Sequence, residues 1–357
     1  MEKKRHLYIE ALRILACLAV IFNHSPRSSY FLFTERVPGS PLYFFELAIS
    51  ISCKFAVPLF LAISGALMLD RRISIRRLWT HRIPKVAIML VVFSVISSAI
   101  GVAGGMPVPG VKEFIFRLYE SDHNYAYWYL YAYLAFLIGS PVLSALLRSM
   151  SDREILYMLG VALLFRCALP AFEQLHWEGM HRLNGNLNPE WLAADIVLYP
   201  AMGYFVHHRM DTRMCRRALW LLWPAAVAGI VVSCMLTWQE YQRLWITHIE
   251  TYHKWFSGVL AIAIFATVRV LYEGVPQDGR LARWTEKLGG ATLGVYLLHV
   301  PIMDHTDLFQ TLIWVPMDAL HLPQLVCGML YIVLLFLACA ALTAVLKRMP
   351  GIGRLLS

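Results

Sequence analysis

The chain has 357 residues, 59% of them hydrophobic and only 15% charged, and its mean hydropathy is +0.56. A soluble domain cannot hide that much apolar surface in one core, so the composition describes an integral membrane protein. The formal charge of +9 calls for nucleic acid only if the basic residues gather into one patch; here they lie between apolar runs and nucleic acid is not expected.

Taken in chain order, apolar stretches long enough to span about 30 Å of hydrocarbon fall near 7–24, 45–69, 84–104, 125–147, 154–172, 191–208, 218–237, 255–272, 288–304 and 323–346. The expectation is an all-α polytopic bundle of about ten transmembrane helices, with residues 1–357 forming a single membrane domain. Pro58, Pro84, Pro141, Pro200 and Pro224 lie in or at the ends of these runs, where membrane helices tolerate proline. A cleavable leader is not expected, because Glu10 and Arg13 interrupt the first run. Seven cysteines are scattered without a C-x-x-C pair, which argues against a disulfide framework or a zinc site, and no metal is expected. With the amino terminus inside, 21 of the 32 Lys and Arg fall in cytoplasmic segments and 7 in outer loops. That bias predicts both termini in the cytoplasm.

The first run, "LRILACLAVIFNHSP" (12–26), carries two polar groups that are costly in lipid. Arg13 and His24 are eleven residues apart, which on a helix puts them on one face about 16–17 Å apart along the axis. Glu10, Cys17 and Val20 share that side. Ionisable groups in membrane helices face a bundle interior or a wet cavity and mark function by default. The plainer alternative is a Glu10–Arg13 pair at i, i+3 that holds the bundle, with His24 ending the helix at the interface.

Four further stretches extend the pattern. "FAVPLFLAISGALML" (55–69) contains Pro58 and a Ser64-Gly65 step, "RRISIRRLWTHRIPK" (71–85) is rich in arginine, "YWYLYAYLAFLIGSPVL" (127–143) carries Trp128 and ends in a proline, and "GATLGVYLLHVPI" (290–302) holds a Gly-x-Tyr-Leu-x-His sequence. With Glu10, Arg13 and His24, these match in order the membrane acyltransferase 3 family, which the chain resembles over nearly its whole length. Glutamate at position 10 departs from the aspartate more usual there.

The resemblance implies transfer of an acyl group, most often acetyl, from a cytoplasmic acyl-CoA to a surface glycan or lipid-linked sugar. The chain looks most like the short stand-alone members of the polysaccharide O-acetyltransferase type, in a bacterial-type cytoplasmic membrane. Acetyl-CoA needs a cationic dock, a path for its pantetheine arm and a base beside the thioester. Arg76, Arg77 and Arg82 align with the family's pattern and are the candidate dock, since arginine forks match phosphate oxygens; basic inner loops are also a plain topological feature. Arg13 is a second donor contact, holding pantetheine or phosphate, or else it orders Glu10. His24 is the candidate base or acyl-accepting nucleophile. His299 is the second catalytic candidate, to orient His24, donate to the oxyanion or bind acceptor, and its alternative is a packing histidine. Tyr296, three residues earlier, has a hydroxyl to donate, while Trp128 and Arg166 are weaker acceptor-binding candidates. Arg166, Asp195, Lys54 and Glu46 are equally explained as interhelical ion pairs. The loop "HWEGMHRLNGNLNPEW" (176–191) has a sugar-binding composition that interface aromatics also produce. The competing function is a transporter of a sugar or small acid, for which ten broken helices would also serve; a structural membrane partner is a third reading with little behind it.

Overall fold

The computed structural model describes residues 6–25, 30–120, 123–178, 180–245, 249–305 and 315–356. Its main helices are α1 Leu7–His24, α2 Pro41–Met68, α3 Ile75–Ala103, α4 Val111–Glu120, α5 Trp128–Ser149, α6 Asp152–Trp177, α7 Asp195–Tyr204, α8 Thr212–Leu244, α9 Ile249–Leu271, α10 Arg280–Gly289, α11 Thr292–His305, α12 Gln324–Leu346 and α13 Ile352–Leu356. Local chemistry starts several of them. The Ser40 hydroxyl accepts from the Tyr43 amide with Pro41 at the first turn, and Asp211 accepts from the Met214 amide at 2.6 Å. Ser151 and Glu154 form a reciprocal capping box at α6, satisfying amides that the helix itself leaves unpaired.

Among the described residues, seven helices are long and apolar enough to cross a membrane: α1, α2, α3, α5, α6, α8 and α12. The protein is therefore a multi-pass integral membrane protein, but the sequence-based count of ten is corrected to seven. The runs at 191–208, 255–272 and 288–304 do not qualify. α7 is 10 residues long, α11 is 14, and the apolar part of α9 is Phe256–Leu271; at 1.5 Å per residue each falls short of a hydrocarbon core of about 30 Å. The run at 288–304 is also broken, since α10 ends at Gly289 and the chain turns before Thr292. What the short helices share is burial inside the bundle: every residue of α7 from Leu198 to Tyr204 is buried, as are Val295 to Val300 of α11. An apolar run reads alike whether protein or lipid covers it, and here protein does. The placement of both termini in the cytoplasm rested on an even number of crossings and falls with the count.

α1 is the hub, in contact with α2, α9, α10, α11 and α12. Elsewhere small residues set the approach of helices. A Cβ on Gly65 of α2 would fall on the carbonyl of Pro200, and one on Gly203 of α7 would fall on that of Ala62. Backbone thus meets backbone at this crossing, which requires glycine on both sides.

Two of the long helices widen into π turns, Leu78–Arg82 in α3 and Leu164–Ala168 in α6. Each ends two residues before a proline, Pro84 and Pro170. Proline has no N–H for the carbonyl four residues earlier and crowds it, so the preceding turn opens. In α3 this happens within the arginine-rich stretch and bears on which of its cations face inward.

Candidate active site

A cavity of about 660 Å³ opens among α1, α2, α3, α5, α10, α11 and the carboxyl-terminal end of the chain. Four cations line it, Arg13, Arg82, Lys85 and Lys347, against a single carboxylate, Glu10. The rest of the wall is largely apolar or aromatic, with Phe60, Met89, Leu130, Tyr129, Tyr133 and Tyr296, and includes the hydroxyl side chains of Ser64 and Thr292. Such a space suits a ligand with a polyanionic head and an uncharged arm, because the cations compensate the head's charge and the wall accepts the arm.

Each cation is positioned by a particular piece of structure. Arg13 donates to Glu10 Oε1 at 2.9 Å, with its side chain 32% exposed and that of Glu10 7%. Lys347 Nζ donates to the Gly290 carbonyl at 2.6 Å, tying the end of α12 to the α10–α11 turn. Arg82 closes the π turn, Lys85 follows it one residue after Pro84, and both line the cavity. Arg76 and Arg77, one turn earlier, are exposed and do not line it. Of the three arginines that the sequence proposes as a dock, the structure brings in only Arg82. The cations it adds are Lys85, which the sequence groups with the arginines without singling it out, and Lys347. Nothing in the linear sequence connects Lys347 to the other three, since it reads as one more basic residue at a helix end.

The two histidines meet. His24 Nδ1 lies 2.8 Å from His299 Nε2, with the rings nearly parallel at 15°. His299 is completely buried, and its Nδ1 lies 2.8 Å from the Tyr296 carbonyl oxygen and 3.2 Å from that of Val295. Carbonyls only accept, so His299 Nδ1 carries a hydrogen and, in neutral His299, Nε2 is a lone-pair acceptor. His24 Nδ1 must then be the donor, which leaves His24 Nε2 as the basic nitrogen of the pair. A backbone carbonyl, a buried imidazole and a half-buried imidazole form one relay whose tautomers are set from the inside outward.

Tyr296 connects this pair to the cavity. Its ring lines the cavity, stands 6.0 Å from the His299 ring and meets Tyr129 edge-on at 5.7 Å, while its hydroxyl donates to the Ala126 carbonyl. Neither histidine lines the cavity itself. Between Arg13 and His24, Cys17 is buried with its thiol toward the Thr292 carbonyl, and so seats α1 on α11.

The remaining candidates are elsewhere. Trp128 is half-exposed at the start of α5 and points away from the cavity, which is lined instead by Tyr129, Leu130, Tyr133 and Leu137 on another face of the same helix. Arg166 binds Asp195 at 2.6 Å between α6 and α7. Glu46 is buried and held at 2.8 and 2.9 Å by Arg36, and Lys54 sits 3.9 Å over the Tyr30 ring. Only Arg166–Asp195 is an ion pair between two helices; Glu46 is paired with an arginine of the loop before α2, and Lys54 meets an aromatic ring and no carboxylate in this contact.

A family model described as an acyltransferase domain matches residues 6–346. Comparisons with curated proteins and with solved structures give no match.

Proposed function

The chain belongs to this acyltransferase family, and from that premise we propose that it moves an acyl group, acetyl in the first instance, from cytoplasmic acyl-CoA to a hydroxyl of a surface glycan or lipid-linked sugar. The observation that carries the proposal is the His24–His299 hydrogen bond with its fixed tautomers, one aromatic ring away from a cavity lined by four cations. A transporter reading has no family match behind it, whereas the acyltransferase model covers residues 6–346.

In the proposed reaction the donor's diphosphate binds at Arg13, Arg82, Lys85 and Lys347. An extended pantetheine arm is about 16 Å from sulfur to diphosphate at roughly 1.25 Å of advance per bond, close to the separation of Arg13 and His24 along α1. The thioester thus comes to His24 when the phosphates are at Arg13. His24 Nε2 takes the proton of the acceptor hydroxyl as that oxygen attacks the thioester carbonyl carbon. The carbon–sulfur bond breaks, and the departing thiolate takes the proton back from His24. While His24 is charged, its Nδ1–H is held by His299. His24 is half-buried, so an acceptor has access to it from the end of the bundle opposite the cations.

The test is acyl transfer to native acceptor, or slow acetyl-CoA hydrolysis, by purified protein. His24→Ala is expected to keep donor binding and to lose about 10²–10⁴-fold in turnover. Near-normal turnover in folded His24→Ala protein removes His24 from the mechanism.

A further inference from the structure

The helix α4, Val111–Glu120, lies between two spanning helices, α3 and α5, and none of its residues is buried. Its apolar residues Val111, Phe114, Ile115, Leu118 and Tyr119 recur at the i, i+3, i+4, i+7, i+8 spacing of one helix face. Glu113, Arg117 and Glu120 fall on the other side. Phe114 and Leu118 are half-buried against the protein: the His123 ring stands 4.1 Å from that of Phe114, His123 Nε2 lies 2.8 Å from the Phe114 carbonyl oxygen, and the Tyr131 hydroxyl donates to the Leu118 carbonyl. The rest of the stripe is open, with Val111 80%, Ile115 57% and Tyr119 86% exposed. A contiguous apolar stripe left open in this way marks an interaction surface.

We infer that α4 is an interfacial helix, lying in the surface of the bilayer with Val111, Ile115 and Tyr119 in the lipid and Glu113, Arg117 and Glu120 toward water. The depth of the helix is what selects lipid over a protein partner. α5 has 22 residues, about 33 Å at 1.5 Å per residue, so it little more than crosses a hydrocarbon core of about 30 Å. Tyr131 is in the first turn of α5, and its bond to Leu118 therefore holds α4 level with the edge of that core. Helices with one apolar and one charged face settle at this boundary, the apolar side immersed by about 5–10 Å. The neighbouring Tyr125 and Trp128 are both exposed and are of the residue types that gather at the same level. On the water side, Arg117 and Glu113 pair one turn apart. Shortly after α4, Tyr125 meets the His24 ring edge-on at 5.3 Å, so α4 fixes the rim of the His24 site at the membrane surface. The inference uses only the membrane character of the chain and goes beyond the acyl-transfer reading.

The experiment places a nitroxide label on full-length protein in phosphatidylcholine liposomes, at Ile115→Cys, Tyr119→Cys, Glu113→Cys or Glu120→Cys, with unsubstituted protein correcting for labelled native cysteines. All four positions are exposed, so the substitutions leave the fold alone. Collisions of each label are measured with oxygen, which concentrates in lipid, and with a water-soluble nickel chelate. The oxygen-to-nickel ratio is expected to be several-fold higher at 115 and 119 than at 113 and 120. Equal access of the chelate to all four puts α4 in water and overturns the inference. Labels at 115 and 119 shielded from both reagents mean that protein, such as a second copy of the chain, covers the stripe, and overturn it as well. Oxygen-dominated collisions at all four sink α4 into the hydrocarbon and equally overturn it. The labels report without any enzyme activity, so none of these results touches the acyl-transfer reading, which fails separately if unsubstituted protein neither hydrolyses acetyl-CoA nor transfers its acetyl group.

Discussion

Replacing His299 with alanine probes the relay without touching the reacting nitrogen. In the proposed transition state His24 becomes an imidazolium, and its Nδ1–H bond to the fully buried His299, 2.8 Å to Nε2 in the structure, becomes charge-assisted. Hydrogen bonds to charged groups contribute about 1.5–3 kcal/mol net, so the variant is expected to turn over about 10–150-fold more slowly. Donor affinity is expected to stay near normal, since His299 is not in the cavity wall. Because the two imidazoles act as a unit, His24→Ala/His299→Ala is expected to be no slower than His24→Ala alone. His299→Gln retains an acceptor and is expected to recover part of the rate. The assay is donor hydrolysis or transfer at saturating donor, beside a binding isotherm and a thermal unfolding curve for each variant. Losses that multiply in the double variant, or a His299→Ala protein with full turnover and weakened donor binding, refute the relay.

The other expectations follow from placement. Arg82→Ala should raise the donor dissociation constant about tenfold while Arg77→Ala and Arg76→Ala leave it unchanged, a split measurable by titration because only Arg82 lines the cavity. Gly65→Ala drives a methyl onto the Pro200 carbonyl and should cost about 1–3 kcal/mol or more, read as a lowered unfolding midpoint in detergent; an unchanged midpoint would mean that α2 and α7 are not in backbone contact. Exchanging the charges of Arg166 and Asp195 should recover stability lost in either single reversal, leaving donor and acceptor kinetics alone; altered acceptor KM in the exchanged protein would return Arg166 to the acceptor site.

The sequence by itself determined the material of this protein and the contents of its first helix. Composition required a membrane bundle, the i, i+3 spacing of Glu10 and Arg13 anticipated their ion pair, and a period of 3.6 put Arg13 and His24 on one side of α1. Those are local properties, and each survives in the structure. The number of crossings was not local: α7 and α11 are as apolar as lipid-facing helices, and only their length and burial among neighbours mark them as core. Nor was the meeting of His24 with His299, 275 residues apart, or of Lys347 with the cavity of Arg13 and Arg82. The arginine-rich stretch shows the boundary within one segment. The sequence has five arginines between 71 and 82 and favours Arg76, Arg77 and Arg82 among them, and in α3, with its turn widened ahead of Pro84, Arg76 and Arg77 are exposed while Arg82 lines the cavity. Charge and periodicity are carried by the chain, but which charges converge depends on helix register and packing, and these exist only once the bundle has formed.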